Sequence, residues 1–176
     1  MSTLYVDNLE PNLGSQVEIP DLKPLTGAVV QSVVWEIPAT SRSTAGSWAV
    51  TTTPTLPNTY SVAEYAFTKK HSNSHVVCVA SGHVDLSDAG SGGRQCIVAL
   101  FEDGSDTLIG SGYRHVRNNN DEPFVYAFSG VDTSSGTSKT YKLRCHSSGG
   151  PMHFSRQASG DNGHSKYTVV LMEIAQ

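Results

Sequence analysis

An all-β sandwich is the fold class that this sequence predicts, and three observations carry it. No window shows apolar residues recurring with a 3.6-residue period, so no amphipathic helix is expected. Apolar runs of strand length alternate with short turn-forming clusters along most of the chain. The 16 glycines and 8 prolines, with many serines and threonines, supply those clusters and disfavour helices. Repeats of solenoid or propeller length are absent. The spacing of the runs fits a sandwich or jelly roll preceded by an extended N-terminal segment.

That segment, residues 1–27, comes first. Pro11, Pro20 and Pro24 each remove a backbone donor and fix φ, which excludes a helix. Glu10, Ile19 and Lys23 are pushed toward extended conformations by the prolines that follow them. Single apolar residues stand between (Leu4, Val6, Leu9, Leu13, Val17, Ile19, Leu22, Leu25), too dispersed to form a core of their own. They need cover from the rest of the fold, from other copies, or from a larger particle.

The head, residues 28–176, then reads as strands over 28–37, 47–53, 60–69, 75–86, 94–102, 107–116, 123–131, 139–146 and 166–175. Asp103-Gly104 and Asp161-Asn162-Gly163 have hairpin-turn chemistry. In the run 139–146, Tyr141, Leu143 and Cys145 share one face and Lys142, Arg144 and His146 the other, the pattern of a strand with one wet side. The last run differs. Tyr167, Val169 and Leu171 lie on one face and Val170, Met172 and Ile174 on the other, so both faces are apolar. In a two-layer sandwich the outer face stays dry only if a second subunit, or the N-terminal segment folded back, covers it.

The bulk properties exclude several classes of function. Net charge is 12 − 16 = −4 and evenly spread, which argues against nucleic acid as a partner. No segment is long and apolar enough to insert in a membrane as a helix, and no export signal is expected at the N-terminus. Cys78, Cys96 and Cys145 each sit inside an apolar run, the setting of buried thiols made in a reducing cytoplasm. They lack the spacing of a metal site.

A search for chemistry returns little. Gly90-Ser91-Gly92-Gly93-Arg94 has no following Lys-Ser/Thr and no helix to open, so it reads as a connection between strands. His71 and His75 are four apart, but in a loop entering a strand. His83 and Asp85 are two apart on a strand and share a face, where they can pair, yet no positioned nucleophile accompanies them. His115, His146, His153 and His164 read as surface or loop residues. Asp85, Asp88, Glu102, Asp103, Asp106, Asp121 and Glu122 read as solvated turn acids, because nothing pairs two of them across a cleft as a glycosidase requires. The run 118–122 has oxygen ligands without calcium-loop spacing. No enzymatic activity, cofactor or metal ligand is expected.

Recognition is the remaining chemistry. Tyr113, Arg114, His115, Arg117, Asn118, Asn119 and Asn120 bring a ring, cations and three amides together at a strand end and its loop. Arginine and tyrosine are favoured contact residues, amides bind hydroxyl-rich ligands directionally, and loops on a rigid scaffold are the usual place for binding. A plain solvated loop has the same appearance. The stretch 146–162, with Met152, His153, Phe154 and Arg156, is a second candidate whose apolar residues equally suit a core.

The run Leu4–Gly27, LYVDNLEPNLGSQVEIPDLKPLTG, and the closing run Tyr167–Gln176, YTVVLMEIAQ, resemble the ends of tail-fibre and related fibre proteins of tailed phages, especially those infecting marine bacteria. Ala66–Lys70 is similar in style to a strand end of that group. The resemblance implies a virion protein, made in the cytoplasm of the host bacterium and attached to other virion proteins through Leu4, Tyr5, Val6, Leu9, Leu13, Val17 and Ile19. It also implies a head like the tumour-necrosis-factor and C1q jelly rolls, which set the C-terminal strand near a threefold axis. A homotrimer with Val170, Met172 and Ile174 at the interface is the assembly expected, with a host-surface glycan or protein as the receptor. A purely structural fibre or capsid-decoration subunit is the alternative.

Overall fold

The computed structural model describes residues 25–38, 40–43, 59–86, 94–104, 107–116, 124–147, 151–154 and 167–176. Ten strands occur among them: β1 Val29–Ile37, β2 Thr40–Ser43, β3 Tyr60–Thr68, β4 His75–Leu86, β5 Arg94–Glu102, β6 Thr107–Val116, β7 Phe124–Asp132, β8 Ser138–Ser147, β9 Pro151–Phe154 and β10 Tyr167–Ile174. All pairings are antiparallel.

One sheet has the order β3-β8-β5-β6. In the other, β4 pairs with β10 over its first part and with β9 at its end, while β7 runs along its opposite edge. Val84 meets Phe154 on one side and Phe124 on the other, so β9 continues the line of β10. β2, paired with β9, likewise continues the line of β1, paired with β10. Each sheet is thus four strands wide, and the first and last of the described strands lie side by side. This wrapping is a jelly roll, as the sequence predicts.

The core lies between the sheets, where the inward residues alternate with outward ones as the pleat requires. Trp35, Ile37, Val76, Cys78, Ala80, Tyr167, Val169 and Leu171 face Val62, Phe67, Val98, Leu100, Tyr141, Leu143 and Cys145 across it. All three cysteines are free and buried. Burial pushes the Cys78 thiol up to about 12 and the Cys96 thiol to about 11, the latter despite the Tyr126 hydroxyl bonded to its sulfur. Such thiols are inert packing groups.

At one edge the two sheets almost touch. A Cβ on Gly130 of β7 would sit 1.8 Å from the Ile109 carbonyl oxygen, and one on Gly112 of β6 would sit 2.5 Å from the Tyr126 ring. These glycines are where β6 and β7 close the sandwich.

The strand boundaries follow the sequence closely where apolar alternation is strong. Two strands were not expected. Thr40–Ser43 has no apolar residue, and Pro151–Phe154 is four residues long beside a Ser-Gly-Gly run. The expected strand 47–53 and the turn 161–163 lie outside the described residues. The hairpin at Asp103-Gly104 is present, joining β5 to β6.

Replacing Gly130 by alanine should destabilise the domain by about 1–3 kcal/mol, the usual cost of overpacking. Urea denaturation measures it, and an unchanged midpoint would contradict the tight seam.

Candidate functional site

The strand pairings give the sandwich two unlike ends. Ser43, Tyr60, Leu86, Arg94, Val116, Phe124 and Ser147 all lie at one end, as the registers Tyr60↔Cys145, Cys96↔Ser147, Arg94↔Val116 and Leu86↔Met152 require. The opposite end, the base, carries the connections 69–74 and 133–137, and the hairpin after Glu102. The chain also enters and finishes there. The Gly27 amide donates to the Ala175 carbonyl at 2.8 Å and the Ala175 amide to the Ala28 carbonyl at 2.9 Å. Leu25, the first described residue, is 83 % exposed beside them.

The base is closed by buried charge. Glu173 of β10 is fully buried, and its carboxylate accepts from the Lys70 amide (2.8 Å), the His71 amide (2.9 Å), the Ser74 hydroxyl (2.5 Å) and the Gln31 side-chain amide (2.6 Å). Gln31 also donates to the Thr68 carbonyl at 2.7 Å, linking β1 to β3 of the other sheet. Beside this clamp, Asp132 accepts from the amide and hydroxyl of Ser134 and from the Tyr141 hydroxyl. The Lys69 ammonium donates to the Ser74 and Ser134 carbonyls, and the Lys139 ammonium to the Ser134 hydroxyl and the Ser135 carbonyl. Glu102 lies 3.9 Å from Lys139 and is buried, so it is not the solvated turn acid that the sequence suggests.

Burial alone would raise the Asp132 and Glu173 carboxyls, but their hydrogen bonds outweigh it. Asp132 is held below its ordinary value chiefly by Ser134, and Glu173 by Ser74 and the Lys70 and His71 amides. Burial lowers Lys69. An open depression of about 520 Å³ lies over this clamp, lined by Lys70–Ser74, Thr137, Ala175 and Gln176.

The other end carries two of the residues expected to recognise a ligand, Tyr113 and Arg114. Tyr113 is 53 % exposed and Arg114 is exposed, both on β6 near its end. Neighbours on a strand point to opposite faces. Tyr113 pairs with Ile97 on the outer side, and Arg114 with Cys96 on the inner side. Arg117, Asn118, Asn119 and Asn120 lie outside the described residues. His146, expected on the wet side of its strand, is instead buried, with Tyr60 stacked at 6.1 Å between ring centroids; burial lowers its pKa.

The outer faces of the two sheets differ as much as the ends. On the β3-β8-β5-β6 sheet Lys142 bridges Asp103 at 2.6 Å and Glu64 at 3.7 Å. On the β1-β10-β4-β7 sheet the outward rows are Val34, Val170, Val79 and Ser129, then Ser32, Met172, Val77 and Val131. Val34 is 61 % exposed and Val131 50 %, while Val170, Met172 and Ile174 are half-buried. Among the described side chains, Glu36 is the one Asp, Glu, Lys or Arg facing outward from these four strands. The apolar second face predicted for the last strand is therefore part of an apolar surface four strands wide. Leu4, Tyr5, Val6, Leu9, Leu13, Val17 and Ile19 lie outside the described residues.

No protein-family model and no curated protein matches the chain. Among solved structures it is similar to an arabinose-bound α-L-arabinofuranosidase, at 12 % identity and TM-score 0.37, over 78 % of this chain and 23 % of that one. The chain thus spans under a quarter of that enzyme's length. It is similar to the sugar-binding C-terminal domain of EclA, at 12 % identity and TM-score 0.37, over 93 % of this chain and 99 % of that one. The VP2 subviral particle protein of infectious bursal disease virus gives 10 % identity and TM-score 0.36, over 98 % of this chain and 43 % of that one.

The clamp predicts an acid-labile fold. Carboxyls depressed in the folded state contribute stability that is present above their unfolded values, near 4, and lost as pH falls through the folded ones. Thermal melts should hold steady from neutral pH down to about 5 and fall steeply below about 4. Glu173→Gln should lower stability at neutral pH by about 1–3 kcal/mol and flatten that fall. A variant with the wild-type acid profile would remove Glu173 as its source.

Proposed function

We propose that the chain is a phage virion fibre protein, non-enzymatic, assembled as a homotrimer and attached to the particle through residues 1–27. Its jelly-roll head, residues 28–176, is displayed for contact with a glycan or protein of the host surface. The observation that carries this reading is the opposition of the two ends. The chain enters at the base, beside Ala175, while Tyr113 and Arg114 stand near the far end. A segment anchored in a particle therefore holds the recognition end outward. The outer face of β1, β10, β4 and β7, where Glu36 is the one charged side chain among those described, supports assembly, since the centres of subunit interfaces are depleted in charge and large exposed apolar patches mark contacts. Several tethered copies let weak sites suffice, because the second binding event becomes intramolecular.

Two measurements test the reading. Met172→Asp places a charge in the middle of the apolar face and should convert the oligomer into monomers or insoluble protein, read by light scattering after size exclusion. Recovery of the wild-type oligomer in soluble form would remove this face from the interface. Replacing Arg114 and Arg117 together by serine should leave the oligomer intact and weaken adsorption to host cells about fivefold or more, the loss of roughly 1 kcal/mol at contact arginines. Unchanged adsorption would favour a structural fibre or decoration subunit that touches no receptor.

A further inference from the structure

The turn Lys70–Ser74 at the base is held from below. Its Lys70 and His71 amides donate to the buried Glu173 carboxylate, and the Ser74 amide donates to the His71 carbonyl at 3.2 Å. The neighbouring turn 133–137 is fixed in the same way. Asp132 accepts from the Ser134 amide, the Lys139 ammonium donates to the Ser135 carbonyl, and the Lys69 amide donates to the Thr137 carbonyl at 2.8 Å. The backbone of both turns is therefore committed, and their side chains are not. Lys70, His71, Ser72, Asn73 and Thr137 are exposed. Among the described residues, the side chains of Lys70 and His71 make no hydrogen bond or ion pair; only their backbone amides are engaged. Binding groups carried on a rigid turn lose little freedom when a ligand meets them.

The depression of about 520 Å³ lies beside these turns, and its volume is within the range of ligand sites, about 300–1,000 Å³. Its lining is one-sided in charge. Lys70 and His71 supply basic side chains, Ser72, Asn73, Thr137 and Gln176 supply hydroxyl and amide groups, and no Asp or Glu is among the lining residues. Glu173 lies beneath, but its carboxylate is already met by four donors. An ammonium group surrounded by neutral hydrogen-bond donors suits a carboxylate. A carboxylate can reach such a site on an acidic sugar or on a peptide side chain. The lining favours the peptide. A sugar ring rests its C–H faces on an aromatic or apolar plate, whereas here Ala175 is the one apolar residue and no Trp, Tyr or Phe is present.

We propose that this depression is a docking site for an acidic side chain presented by a segment of another protein, with Lys70 as its counter-ion and Ser72, Asn73 and Thr137 as neutral donors. The identity of that partner rests on the virion reading, on which it is a protein of the particle. The depression lies where the chain enters the head, since Ala175, in its wall, is hydrogen-bonded to Gly27 and Ala28. Tether and docking site then hold the same end of the domain at two points. The tether also raises the effective concentration of the second contact, so a single weak ion pair suffices.

The test is an NMR titration of the full-length chain with a capped oligoglutamate peptide. The amide resonances of Lys70–Ser74 and Thr137 should shift and saturate, and the effect should weaken in about 0.5 M NaCl. A capped oligoglutamine peptide should leave them unmoved. Lys70→Ala removes an exposed side chain with no partner in the fold, so it should keep the wild-type melting temperature while lowering peptide affinity about fivefold or more. Equal shifts with oligoglutamine, shifts confined to other surfaces, or wild-type affinity in Lys70→Ala would overturn the proposal. Saturation by sodium glucuronate or sodium sulfate at the same concentrations would overturn it too, marking an acidic-sugar site or a general anion site. Virions assembled with Lys70→Ala should carry less of the chain, and normal incorporation would overturn the particle contact. Peptide binding at Lys70–Ser74 by a chain that is absent from virions would keep the docking site and remove the fibre reading.

Discussion

The Glu173 carboxylate accepts four hydrogen bonds in a fully buried position, and the arrangement of the base depends on it. A buried charge is tolerable only when its hydrogen-bonding capacity is met, and here the acceptor and its donors come from three separate places in the sequence. Gln31 reaches from the first strand, the Lys70–Ser74 turn from the crossing between sheets, and Glu173 itself sits on the last strand. The interaction therefore fixes the register of β1 against β10 and the point at which the chain passes from β3 to β4. Lys69, Asp132, Ser134 and Lys139 extend the same logic to the neighbouring turn.

With the base so fixed, the remaining surfaces acquire distinct characters. One sheet carries apolar rows on its outer face, while the outer face of the other combines the Lys142 ion pairs with buried Ile97, Ala99 and His146. The glycine seam between β6 and β7 holds the sheets at one edge, while Trp35 and Tyr65, 5.5 Å apart, pack across the other. The strand carrying Tyr113 and Arg114 is part of that seam, so its far end is held by packing rather than left to a loop.

Much of the fold was legible in the sequence because most strands are long and alternate strongly. Runs such as Tyr141-Lys142-Leu143-Arg144-Cys145 announce both their conformation and their buried face, and the turn at Asp103-Gly104 announces its own. β2 and β9 escaped because four residues carry too little alternation to read, and Pro151 argues against a strand until it is seen to begin one. The burial of Glu102, His146 and Glu173 was illegible for another reason. Polar residues at strand ends look solvated until the long-range pairing that encloses them is known. The same holds for His153, whose place opposite Asp85 is a property of register and not of local pattern.

The side-by-side pairing of the first and last strands has a mechanical consequence. β1 and β10 are antiparallel over eight paired positions, and the chain reaches β1 through Gly27 at the base. Tension applied through that lead and resisted at the far end runs along the strand axis, across the direction of the ladder hydrogen bonds. Those bonds are then loaded together, in shear, and must fail as a group. Peeling would break them singly at far lower force. A load along β1 is thus met in shear rather than by peeling, and the Gln31 and Glu173 contacts lie at the first point where that load arrives.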